Sequence, residues 1–226
     1  MITLDGAQSR YSYRAFDMRD TTPDNCVMDT MDGYAFNEAL DALGALLTSR
    51  GNRYSVVLIG GGNLLLRGVI TRPTKDGDLL GERDASGSVV RMDRLPGPLE
   101  RAIADVATTY GLKDDWLNLG PASLLDHDLP PGFEARLEGR DFGPGLTVWL
   151  AGEHDLIFFK LYAAADHWPA QDRHLEDLRK LGPTRNDLVA AARWSRGHDL
   201  SPGYRALLVA TLVHLGIEDA DDVLDR

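Results

Sequence analysis

The 226-residue chain has a single cysteine, Cys26, so it cannot form an internal disulfide, and a reducing cytoplasm is the expected location. The acidic neighbours in "DNCVMD" would raise that thiol's pKa, which argues against a catalytic cysteine. No apolar run approaches the roughly 18–20 residues of a membrane span, and the first twenty residues lack the apolar core of a signal peptide. Basic residues are in deficit, 24 against 35 acids for a net charge of −11, which argues against general coating of nucleic acid. Two common nucleotide signatures are missing as well. Gly60 and Gly62 begin a G-x-G-x-x-G pattern but Leu65 occupies its last position, and no Gly-Lys-Ser/Thr of a phosphate-binding loop occurs. There is no internal repeat and no low-complexity tract.

What remains is a globular composition, 43% hydrophobic and 26% charged, arranged in two styles. Residues 1–33 are polar and without periodicity, and read as an N-terminal arm. From Tyr34 the stripe Phe36, Leu40, Leu43, Leu46 and Leu47 predicts a helix ending near Gly51. "YSVVLIG" is a buried strand, and "GGNLLLRG" can carry a short helix after it. "KDGDLLG" and "SVVRM" read as extended, and a second helix runs from about Pro98 to Tyr110, stopped by Gly111. "FEARLEG" and "GLTVWLAG" read as two more strands. Beyond Gly152 four segments all show helical spacing with capping residues. The expected organisation is therefore an arm (1–33), an α/β domain (34–151) with a small mixed sheet flanked by helices, and a helical C-terminal region (152–226).

The densest chemistry lies in "VVLIGGGNLLLRGVITRPTKDGDLLG". A glycine turn after a strand can turn backbone N–H groups toward phosphate oxygens. Asp76 and Asp78, two apart on an extended segment, project to one face. Paired carboxylates repel unless a cation answers them, and Mg²⁺ takes one or two carboxylates with water and substrate phosphate. The competing reading is plain: Asp-Gly is a favoured turn pair, and D-G-D can be a hairpin.

The order strand, Gly60-Gly61, short helix with Leu64, then Arg72-x-Thr74-x-Asp76-x-Asp78 resembles the nucleotidyltransferase-like fold of the DNA polymerase β superfamily. Within it the chain is similar to AbiEii-type toxins and related nucleotidyltransferase-like proteins of undefined function. Lys160 in "LIFFKLYAAAD", Asp177-Leu178 in "DRHLEDLRKL", and Trp116 and Asn118 in "DDWLN" extend the resemblance over about residues 54–180. It implies transfer of a nucleoside monophosphate from an NTP to an acceptor: tRNA, protein or a small molecule. Asp76 and Asp78 would hold Mg²⁺ or Mn²⁺, and Gly60, Gly61 and Gly62 would cradle phosphates. Arg72, Thr74 and Lys160 would attend the nucleotide, while Asp177 would orient Lys160 or assist a proton. A cognate antitoxin is an implied partner. A catalytically silent member acting as a binding module is the alternative. Two departures bear on that choice. Gly77 stands where the family pattern has an apolar anchor, so looser strand pairing is expected. No third carboxylate is obvious; Glu134 and Glu138, which share one face of the expected strand "FEARLEG", are the nearest candidates, and an ordinary solvent-facing strand edge explains them equally well.

Other residues have simpler readings. His127, His154, His167, His174, His198 and His214 lack metal-ligand spacing and read as surface or packing histidines. Asp177 can pair locally with Arg173, Arg179 or Lys180. Arg193, Trp194 and Arg196 could meet a nucleic acid, or simply complete a helix end.

Overall fold

A computed structural model describes residues 28–170 and 173–225; Cys26 and the rest of the expected arm to residue 27 lie outside the described residues. Helix α1 (Gly33–Ser49) starts where the Asp32 carboxylate accepts from the Ala35 N–H at 2.8 Å. Its stripe of Phe36, Leu40, Leu43 and Leu47 is buried, and the chain leaves through Gly51 at φ 69°, a left-handed turn that suits glycine. Just before α1 the chain is anchored: Met31 is buried and exchanges two backbone hydrogen bonds with Thr74, at 2.7 and 2.8 Å.

Strand β1 (Tyr54–Ile59) is the centre of the sheet. It pairs antiparallel with β2 (Gly77–Arg83) and parallel with β6 (Leu146–Leu150). Outside these lie β3 (Val89–Val90) on β2 and β5 (Glu138–Asp141) on β6, giving the order β3-β2-β1-β6-β5. A two-residue strand, β4 (Leu117–Asn118), runs parallel to the start of β2. Alternation along β1 feeds two cores. Val56 and Leu58 meet α1 and α3 (Gly97–Tyr110), whereas Val57 and Ile59 meet α2 (Gly60–Leu66) and α4 (Glu153–Asp166).

Helix α4 is apolar on nearly every side, which fits a helix shared by two cores rather than one lying on a surface. Leu156 and Phe159 pack behind the sheet, while Ile157, Phe158, Leu161 and Ala165 pack into a helical cluster. That cluster joins α4 to α5 (Arg173–Leu181), α6 (Arg185–His198), α7 (Pro202–His214) and α8 (Ala220–Leu224). A reciprocal capping box between Thr184 and Asp187 starts α6, and the Ser201 hydroxyl caps α7. No helix among the described residues is long and apolar enough to cross a membrane.

Two local expectations are corrected. "FEARLEG" is not one strand: Phe133–Arg136 forms a 3₁₀ turn after Gly132 (φ 76°), and β5 begins only at Glu138. The turn brings Arg136 onto the buried carboxylate of Asp155 and the Pro131 carbonyl, contacts that a straight strand would forgo. Glu134 and Glu138 therefore do not share a strand face. Glu134 accepts from the Val89 N–H and Glu138 pairs with Arg67. The second correction concerns Gly77. Its N–H donates to the Trp116 carbonyl at 2.7 Å, and an added Cβ would lie 2.6 Å from Leu117 and 2.7 Å from Phe36. The apolar anchor exists, but Phe36 supplies it from α1, so the strand is tight rather than loose.

Candidate active site

The register Ile59↔Asp78 places the second strand's carboxylate beside the turn that ends the first. There Gly60 adopts φ 72°, and a Cβ on it would fall 2.0 Å from Asp78 Oδ2. The backbone can make this approach only because no side chain intervenes. Gly60, Asp78 and Lys160 line one end of a cleft of about 480 Å³, within the range of small-molecule sites.

Asp76 immediately precedes β2 and is half-buried; the Thr74 hydroxyl steadies it by donating to its backbone carbonyl at 3.1 Å. Asp78 is the second residue of β2. Burial pushes its carboxyl up to about 6, and the negative charge of Asp76 adds to the rise, against the pull of Lys160 and Arg173. No hydrogen bond is among these influences. Asp78 thus presents a hard, under-compensated oxygen donor to the cleft, with Asp76 two residues away and not itself lining it; carboxylate oxygens suit Mg²⁺ or Mn²⁺ and no soft metal. Among the described residues no group of three or more His, Cys, Asp or Glu side chains is assembled to hold a metal, so substrate and water would have to complete the shell.

Behind the carboxylates lies a buried charge cluster. Asp177 is fully buried and accepts from Arg72 Nη2 at 2.6 and 2.7 Å, from Arg72 Nε at 3.2 Å and from Lys160 Nζ at 2.7 Å. Burial alone would raise its pKa, but the hydrogen bonds and charges of Arg72 and Lys160 prevail and hold it below the ordinary carboxylate range. The local pairing expected for Asp177 is replaced by contacts across 105 residues, because its side chain faces inward where its helix neighbours Arg179 and Lys180 face solvent. Arg72 is committed to this carboxylate. Lys160 bridges Asp177 and the cleft, and opposes the charge on Asp78.

The remaining residues named from the sequence divide cleanly. Gly61 and Gly62 pack against Thr74 and Phe36, so of the three glycines Gly60 alone lines the cleft. Trp116 is buried and donates to the Ile103 carbonyl, and Asn118 accepts from the Gly120 N–H; both shape the segment that forms the opposite wall. Arg196 bonds to the Asp199 and Leu200 carbonyls, Arg193 to that of Val223, and Trp194 to that of Asp128. These groups knit the fold together. The histidines, expected at the surface or in packing, carry no site signal in their own spacing. His127, His167, His174 and His198 all line the same cleft, brought there from a 3₁₀ turn (Gly120–Asp126) and three helices. The one signal available was on α4, where Lys160, Ala163 and His167 recur at helical spacing.

A small mixed sheet flanked by helices, with two carboxylates beside a glycine turn, defines a nucleotidyltransferase-like domain. The chain belongs to the family described as Nucleotidyltransferase of unknown function (DUF6036), whose model matches residues 35–180. That span runs from the start of α1 to α5 and includes Gly60, Arg72, Thr74, Asp76, Asp78, Lys160 and Asp177, but not His198. No curated protein and no solved structure gave a match.

Proposed function

We propose that the protein is a Mg²⁺- or Mn²⁺-dependent nucleotidyltransferase that moves a nucleoside monophosphate from an NTP to an acceptor. One observation carries this reading: the half-buried, charge-strained carboxylate of Asp78 shares one end of a cleft with Gly60 and Lys160, beside Asp76. In the reaction an acceptor oxygen bonds to the α-phosphorus, the bond to the β-phosphate oxygen breaks, and pyrophosphate departs while the acceptor loses its proton. A divalent ion bound at Asp76 and Asp78 would supply Lewis-acid stabilisation of phosphate charge. Gly60 lets the backbone turn approach the Asp78 carboxylate at the cleft, and Lys160 adds positive charge, held in place by Asp177. Arg72 acts one step back by locking Asp177.

The decisive assay incubates the protein with Mg²⁺ and each labelled NTP, offering tRNA, the protein itself or small hydroxyl compounds as acceptor. Transfer by wild type that falls at least a hundredfold in Asp76→Asn and Asp78→Asn supports the reading; identical behaviour of wild type and variants across the panel removes it. The AbiEii-like toxin role adds a further expectation: expression arrests growth, a neighbouring antitoxin relieves the arrest, and Asp78→Asn abolishes it. A second reading, a silent nucleotide-binding module, draws on the carboxylates themselves. Among the described residues no third carboxylate joins the pair to hold a metal, and Glu134, Glu138 and Asp177 are engaged by Val89, Arg67 and Arg72. It predicts NTP binding without transfer to any acceptor.

A further inference from the structure

The cleft continues well past the carboxylates. Lys160 and His167 both line it from α4, and a rise of 1.5 Å per residue separates them by about 10 Å along the helix axis. That length suits the reach from a triphosphate across a ribose to a base. Tyr162 and His198 also line the cleft with ring centroids 5.5 Å apart, and His127 lies 4.8 Å from His198. Pro121 and Leu124 form an apolar facing wall.

The ring of His198 has a specific deficiency. Its Nε2 is buried without a hydrogen-bond partner among the described residues, while the ring bonds to the Asp128 backbone. That bond therefore runs from Nδ1. Burial, with His127 close by, holds His198 below the usual imidazole range, so the ring is neutral at pH 7. A neutral imidazole that donates through Nδ1 has an acceptor at Nε2, and a buried acceptor left unanswered is costly. The group that would answer it is an N–H on a flat, stackable ligand. Exocyclic amino and ring N–H groups of nucleobases are such donors, and aromatic or imidazole rings are their usual stacking partners.

We infer that this end of the cleft is the nucleobase subsite for the nucleotide whose phosphates lie at Asp78 and Lys160, with His198 Nε2 accepting from the base edge and Tyr162 contributing a ring face. The inference rests on the nucleotide reading above and adds to it the residues that recognise the base.

Calorimetry with the full chain in Mg²⁺ tests it, using each NTP, inorganic tripolyphosphate and an acceptor oligonucleotide as ligands. Wild type should bind at least one NTP about tenfold or more tightly than tripolyphosphate. His198→Phe keeps a ring but removes the acceptor, and should weaken that NTP by roughly five- to tenfold while leaving tripolyphosphate unchanged. Should His198→Phe weaken both ligands, the fold is disturbed and Ala163→Leu decides, since it narrows the cleft without touching His198; selective loss of NTP affinity supports the subsite and unchanged NTP affinity overturns it. Equal affinity of wild type for tripolyphosphate and every NTP overturns the base subsite but leaves the phosphate site standing. A His198→Phe effect confined to the acceptor oligonucleotide assigns the base to the acceptor and also overturns the inference. Binding of neither NTP nor tripolyphosphate overturns both this subsite and the transferase reading.

Discussion

The carboxyl of Asp78 is half-buried next to another acid, and no hydrogen bond is among the influences on it. Its folded-state pKa is raised, so the destabilisation it causes is absent below pH 4, grows as the pH climbs through about 6, and is complete above that. A carboxyl moved from its ordinary range up to about 6 corresponds to ~3 kcal/mol. Asp78→Asn should therefore raise the melting temperature at pH 8 by roughly 4–12 °C, and the gain should vanish by pH 4. Thermal unfolding followed at both pH values checks the sign. Gly77 gives a second prediction at this scale. Because Phe36 already fills the space a side chain would need, Gly77→Val should cost about 1–3 kcal/mol, and Phe36→Leu should restore part of it in the double variant. From the sequence, Gly77 could be read only against its own strand. What fills the space over it is a phenylalanine 41 positions earlier, and no local pattern announces that.

Elements carry the site through one tether. Asp177 on α5 binds Arg72 from the loop before β2 and Lys160 from α4, so three separate parts of the chain meet at one carboxylate. Asp177→Ala leaves Lys160 charged in a buried place and should lower stability by about 3–5 kcal/mol in urea unfolding. The Asp177 pKa lies below its unfolded value, so its contribution is whole at neutral pH and is lost only as the pH falls below the ordinary carboxylate range. Asp177→Asn with Lys160→Met should recover much of the stability but not transferase activity, which separates the structural role of the pair from the part Lys160 plays in the cleft. Most elements were legible because their periodicity is strong: the stripe of α1, the β-branched run of β1 and the capped C-terminal helices all fall within a residue or two of the reading. The segment Phe133–Arg136 was not, because its conformation is set by Gly132 and by the reach of Arg136 to Asp155, not by its own alternation.

For the whole molecule, α4 is the common wall of two hydrophobic clusters, one against the sheet and one among the C-terminal helices. Neither cluster is complete without it, so sheet and helices should unfold together. Coincident urea transitions by far-ultraviolet circular dichroism and by fluorescence of Trp116, with the other tryptophans replaced, would bear this out; two separated transitions would refute it. The same arrangement explains why half of the site was readable and half was not. Asp76, Asp78 and Gly60 sit within twenty residues and announce themselves as a motif, whereas His127, after the 3₁₀ turn, and His198, at the end of α6, meet only in the folded chain. The raised affinity of Asp78 for a proton has one further consequence. Near pH 6 the carboxyl is about half protonated, so a divalent ion that claims it must displace, on average, about half a proton into solution. Titrations of Mg²⁺ in buffers with different heats of ionisation would read that released acid directly, and so report filling of the site before any acceptor has been found.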